Sequence, residues 1–158
     1  MTSAIRPVLQ SLLVADHVYT DAGTGKKIIA GVFQQLFFYS KSSIEQASQL
    51  KHVQAGGYQS GSPFAYASLT DVLGEQKFEL RYVCLRNEAV VFTIGFDLAC
   101  HDRLQNVELS LPLPPLPTEP PGVYALELLW NSEPLGSYRI VVKQIGNDDR
   151  KNDDDTTT

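Results

Sequence analysis

Cysteine and histidine are scarce in this chain, with two of the former and three of the latter in 158 residues, beside a single methionine and a single tryptophan. Two thiols cannot supply the dense disulfide framework on which small secreted scaffolds depend. None is needed, because at this length folding removes about 68–70% of the unfolded chain's accessible surface from water. Long apolar runs are also missing, and no stretch approaches the roughly 20 residues of a membrane-spanning helix. The first residues carry neither a basic cluster nor a leader-like apolar segment with a small-residue cleavage site. The expectation is a cytoplasmic protein without a membrane partner.

Positive charge is in short supply too. Lys and Arg number 13 against 18 Asp and Glu, a formal net charge of −5, which argues against a nucleic-acid partner held through its phosphates. Part of the excess is local: residues 147–158 hold five Asp against one Arg and one Lys. That segment cannot bury apolar surface and is predicted to be a disordered acidic tail. Residues 1–146 are predicted to form one domain, consistent with a composition that is 43% hydrophobic and 20% charged.

What is abundant is period-two alternation, which places successive side chains on opposite faces of a strand. Phe78, Leu80, Tyr82 and Cys84 alternate with Lys77, Glu79 and Arg81; Val90, Phe92, Ile94, Phe96 and Leu98 repeat the pattern after a turn at Asn87 and Glu88. The two runs predict a hairpin. Val107, Leu109, Leu111 and Leu113 form another such run, as do Tyr124, Leu126, Leu128 and Trp130, followed by Tyr138, Ile140 and Val142 after the turn-forming Asn131-Ser132-Glu133-Pro134. The stretches 8–19 and 28–38 are instead apolar on both parities, as in strands covered on both faces or lying at a subunit contact. A glycine-containing turn at 21–26 joins them.

Between residues 41 and 62 the alternation stops. Ser42 with Glu45 and Ser43 with Gln46 have capping-box spacing, and Ile44, Ala47 and Leu50 recur at helical spacing, so a short helix is expected in this insertion. The whole reads as an all-β, antiparallel immunoglobulin-like β-sandwich of seven or eight strands.

Three stretches carry a resemblance. They are Leu13-Val14-Ala15-Asp16-His17-Val18 with Gly25-Lys26-Lys27-Ile28-Ile29-Ala30-Gly31-Val32-Phe33; Leu111-Pro112-Leu113-Pro114; and Pro121-Gly122-Val123-Tyr124 running on to Leu135-Gly136-Ser137. Together the chain resembles a family of small, uncharacterised bacterial proteins over roughly residues 8 to 143, apart from the insertion. The resemblance implies a cytoplasmic bacterial β-sandwich and brings no activity, cofactor or site residue with it.

Motifs that would carry chemistry fail on detail. Gly23-Thr24-Gly25-Lys26-Lys27 approximates a phosphate loop, but Thr20 stands where its first glycine belongs and Lys27 where its Ser or Thr belongs. A strand follows rather than a helix N-terminus, so the segment is a hairpin turn. His17, His52 and His101 have no metal-ligand spacing. Gly57-Tyr58-Gln59-Ser60-Gly61 puts its serine one place late for a nucleophile elbow. Cys84 and Cys100 are too far apart in the expected hairpin to bridge; Cys84 is expected in the core and Cys100 partly exposed at a strand end. The run from Pro112 to Pro121 contains P-x-x-P spacings but no flanking base, and reads as a stiff strand connector.

Two groups remain. Asp71, Asp97 and Asp102, with Asp16 and Asp21, are candidate Ca²⁺ ligands if they converge at one end of the sandwich. Phe33, Phe37, Phe38 and Tyr39 exceed the aromatic content that one half-exposed strand face needs, and are candidate interface residues covered by the helix or by a second subunit. The expectation is therefore a non-catalytic binding or scaffold module with no cofactor, a protein partner and a capacity to form homo-oligomers. The alternatives are a sandwich binding Ca²⁺ or a small ligand through loop carboxylates, and an enzyme whose site assembles only in an oligomer.

Overall fold

The computed structural model describes residues 4–39 and 62–145. The expected helix in 41–62, His52, the 57–61 loop and the acidic tail lie outside the described residues. The described residues form nine strands: β1 (Val8–Thr20), β2 (Lys27–Val32), β3 (Gln35–Tyr39), β4 (Phe64–Thr70), β5 (Gly74–Cys84), β6 (Ala89–Cys100), β7 (Val107–Pro112), β8 (Gly122–Trp130) and β9 (Glu133–Ile145). They form two sheets: sheet A in the order β2-β1-β4-β7 and sheet B in the order β3-β9-β8-β5-β6. The protein is all-β in its described residues, which hold no helix long and apolar enough to cross a membrane.

The ninth strand arises where the sequence reads as one. The apolar stretch 28–38 is two strands in different sheets, β2 antiparallel to β1 and β3 parallel to β9. Alternation alone does not reveal the break, because apolar residues occupy both parities. Gly31 adopts φ +72, and Phe33 N–H then donates to Val14 O at 3.3 Å while Gln34 O accepts from Val141 N–H at 2.8 Å. One residue on, the backbone has changed sheets. The β3–β9 pair is also the departure from an antiparallel scheme.

The turns follow their chemistry. Between β1 and β2, Asp21 N–H donates to Lys26 O and Gly25 N–H to Asp21 O, both at 2.8 Å, with Gly25 at φ +70. The β8–β9 turn uses Asn131 and Ser132 at φ 47 and 67, the paired positive angles that match the twist of a two-residue hairpin. In the β5–β6 turn, Asn87 Oδ1 accepts from Ala89 N–H at 3.0 Å. The proline run carries the chain from β7 in sheet A to β8 in sheet B, pinned by Leu113 and Leu116 in the core and by Leu113 N–H donating to Pro63 O at 2.8 Å.

One apolar cluster holds both sheets together. Sheet A contributes Val14, Ala65, Ala67, Leu69 and Leu109; sheet B contributes Leu36, Phe38, Phe78, Leu80, Tyr82, Tyr124, Leu126, Leu128, Ile140 and Val142. Small residues on β4 thus accompany large ones on β5, the combination close packing between two layers requires. At Gly136 the two sheets approach closely, since an added Cβ would lie 2.6 Å from Leu9 Cδ2.

Candidate functional site

The inner faces of the sheets are consumed by the core, so a site among the described residues lies on the outer faces, the edges or the turns. Register decides which side chains share the outer face of sheet B. Lys77 stands opposite Asp97, Arg81 opposite Glu127 and Ala125 opposite Arg139, with Glu79 and Lys143 on the same side by alternation. Opposite charges interleave across the strands, and Arg81 Nη2 lies 3.5 Å from Glu79 Oε2. A hollow of about 470 Å³ at the end of β5 and β6, beside Asn131 and Ser132, is lined by Lys77, Glu79 and Asp97 among others. Glu79 there is paired with Arg81, and Asp97 stands opposite Lys77 in the strand register.

Sheet B's outer face also exposes Val90, Val91, Val123 and Ile145; sheet A differs in carrying far fewer charges. The register of β1 with β2 and β4, and of β4 with β7, puts Leu13, Ala15, His17 and Tyr19 on one outer face with Ile28, Ala30, Val32, Phe64, Tyr66, Ser68, Glu108 and Ser110. Tyr19, Ile28 and Val32 are 52%, 50% and 54% exposed, and His17 stacks on Tyr19 with ring centroids 5.6 Å apart. Glu108 is the formal charge among these strand residues, and its Oε2 accepts a hydrogen bond from the Tyr66 hydroxyl. Loss of solvent around the Tyr66 hydroxyl, reinforced by that carboxylate, pushes its pKa up to about 12. The phenol therefore stays protonated and continues to donate at neutral pH.

The candidate Ca²⁺ ligands are engaged separately, although Asp71 lies against the turn that holds Asp102. Asp71, at φ 57 after β4, has Oδ1 3.9 Å from Arg103 Nε. Asp102 uses its Oδ1 to accept from Leu104 N–H at 2.9 Å in the β6–β7 turn, and Asp97 lies within β6 opposite Lys77. Asp21 folds over its own turn, accepting from Thr24 N–H at 2.9 Å and from the Thr24 hydroxyl; these bonds hold its carboxyl below the usual carboxylate range. Asp16 sits beside Gly31. Among the described residues no group of three or more His, Cys, Asp or Glu side chains is placed to hold a metal ion.

The aromatic group is divided. Phe38 belongs to the buried cluster and Phe33 packs against it half-buried, whereas Phe37 stands opposite Lys143 on the outer face of sheet B. Tyr39 pairs with Ile145 at the strand end. Cys84 and Cys100 are both free and lie at opposite ends of the β5–β6 hairpin, Cys84 paired with Ala89 and Cys100 with Gly74. Cys100 is 6% exposed rather than partly exposed, because the 102–105 turn folds over it and its Sγ lies 3.1 Å from Asp102 O. His101 is exposed.

The Tyr66–Glu108 contact joins residues 42 apart, and no local pattern announces it. The outer face of sheet A does have a sequence signal, the occurrence of apolar residues on both parities of 8–19 and 28–38. No protein-family model and no curated protein matches the chain.

Proposed function

We propose that this protein is a non-catalytic binding module with an immunoglobulin-like sandwich fold, and that it binds a protein partner through the outer face of sheet A. The observation that carries the proposal is the contrast between the two outer faces. The outer face of sheet B carries interleaved charges of both signs, whereas that of sheet A combines half-exposed apolar side chains with a single carboxylate, Glu108, engaged by the Tyr66 hydroxyl. A charge-poor apolar face of this kind marks a contact surface. Its partner is a protein with a complementary uncharged, apolar surface. Covering Tyr19, Ile28 and Val32, each about half exposed, contributes on the order of 2–4 kcal/mol.

Two features support the immunoglobulin-like assignment. Sheet B contains an edge strand parallel to the last strand, β3 with β9, while β1 pairs with β4 in the other sheet. Tyr124, near the start of β8, donates its hydroxyl to Pro120 O at 2.6 Å, which is the corner contact such sandwiches make before the equivalent strand.

Affinity capture tests the reading by comparing three proteins: the unaltered chain, the double variant I28E/V32E on sheet A, and R139E on sheet B. The expected result is one set of partners held by the unaltered chain and by R139E and lost by I28E/V32E. Equal capture by all three overturns the assignment of the face.

A further inference from the structure

Each sheet has two edges, and three of the four strands that form them are short: β2 and β7 have six residues and β3 has five. β2 begins at Lys27 and β7 ends at Pro112, and short length, lysine and proline are the devices that keep an edge from recruiting another chain. β6 has none of them. It runs for twelve residues, Ala-Val-Val-Phe-Thr-Ile-Gly-Phe-Asp-Leu-Ala-Cys, with no proline, no basic residue and no charge on the core side. Phe92, Ile94, Phe96 and Leu98, which point toward the core, are only partly buried. Their partners in the strand register on β5, Phe78, Leu80 and Tyr82, are at 1% exposure or less. Sheet B stops one strand before its apolar side is covered.

We infer that β6 is a homodimer edge: two copies of the chain pair β6 with β6, antiparallel about a two-fold axis, and join their five-stranded sheets into one. Symmetry narrows the register. Partner positions sum to a constant, and that sum must be even, because an odd one would set core-facing residues of one copy against solvent-facing residues of the other. An axis through Asp97 would oppose two carboxylates. With the axis at Gly95, Thr93 faces Asp97, Ile94 faces Phe96 and Phe92 faces Leu98, so the half-covered apolar side chains cover one another across the joint. Glycine at the axis also suits the close approach of a second backbone. The seven residues from Phe92 to Leu98, which lie beyond the irregularity at Val91, then make on the order of seven ladder hydrogen bonds, within the range a typical specific interface carries.

Sedimentation of the full chain from low to high micromolar concentration tests the inference. The unaltered protein is expected to sediment as a dimer and G95K as a monomer with an unchanged circular dichroism spectrum. A side chain at Gly95 meets nothing within 4 Å in its own subunit, so the substitution acts on the joint. T93K places a cation opposite Asp97 twice over and lowers the dimer Kd roughly two- to thirty-fold at low salt. G95C crosslinks to its symmetry mate under mild oxidation, since opposed residues in this geometry have Cα atoms about 4.5–5.5 Å apart and both native thiols are buried. A monomer at every concentration overturns the inference, as does a dimer that survives G95K without crosslinking through G95C. A dimer lost in I28E/V32E instead belongs to the sheet A face and overturns it as well.

Discussion

The rings of Tyr82 and Tyr124 lie stacked in the core, centroids 5.2 Å apart and 11° from parallel, yet their hydroxyls have opposite fates. Tyr124 donates to Pro120 O at 2.6 Å, while the buried Tyr82 hydroxyl finds no hydrogen-bond partner among the described residues. Burial pushes both phenols up from their ordinary pKa. A buried polar group left unpaired costs about 1–3 kcal/mol, whereas a made bond contributes about 1 kcal/mol.

The same chemical change at these two positions is therefore expected to act with opposite sign. Y82F raises the free energy of unfolding by about 1 kcal/mol, and Y124F lowers it by about 1 kcal/mol. Urea unfolding of both variants checks the pair, and a destabilised Y82F contradicts the account of its hydroxyl.

Gly31 and Gly95 make a second contrast. At Gly31 the backbone has φ +72 and an added Cβ would stand 2.3 Å from Asp16 Oδ2 and 3.0 Å from Asp16 Cβ; at Gly95 it would stand in open space. G31A is expected to lose at least about 1–2 kcal/mol of stability through strain and displacement of Asp16. G95A is expected to be neutral or to gain up to about 1 kcal/mol, since glycine within a strand is entropically costly. Thermal unfolding of the two alanine variants separates them.

Tyr66 gives the alkaline limb of the stability curve a recognisable component. Its folded-state pKa, about 12, stands above its ordinary value of 10.0, so the stability it contributes is fully present below pH 10 and is lost as pH rises through 12. The absorbance difference at 295 nm between the unaltered protein and Y66F should titrate near pH 12. A midpoint near 10 would show that the hydroxyl is neither desolvated nor held by Glu108.

These variants also mark where the sequence was legible. Alternation around Lys77, Glu79 and Arg81 identifies the two faces of β5, and the turn chemistry of Asn131-Ser132 identifies the β8–β9 hairpin, because both signals are local. The split of 28–38 between two sheets was not legible, since it depends on Gly31 adopting a positive φ and on hydrogen bonds to Val14 and Val141 far away in the chain. That Asp71, Asp97 and Asp102 make no metal-holding group among the described residues was hidden for the same reason. What each carboxylate stands beside is set by the fold, as Asp97 opposite Lys77 in the β5–β6 register and Asp71 beside Arg103 of the β6–β7 turn show. The candidate face on sheet A was half visible: apolar residues on both parities pointed to a covered or contacting surface, but only the pairing of β1 with β2 and β4 assembles it.

The salt dependence of partner binding tests the central claim most directly. Contact through the charge-poor face of sheet A predicts that the affinity for a captured partner changes by less than about twofold between 0.05 and 0.5 M salt, because apolar burial is not screened. Loss of roughly tenfold or more across that range would place the contact on the charged outer face of sheet B and contradict the account.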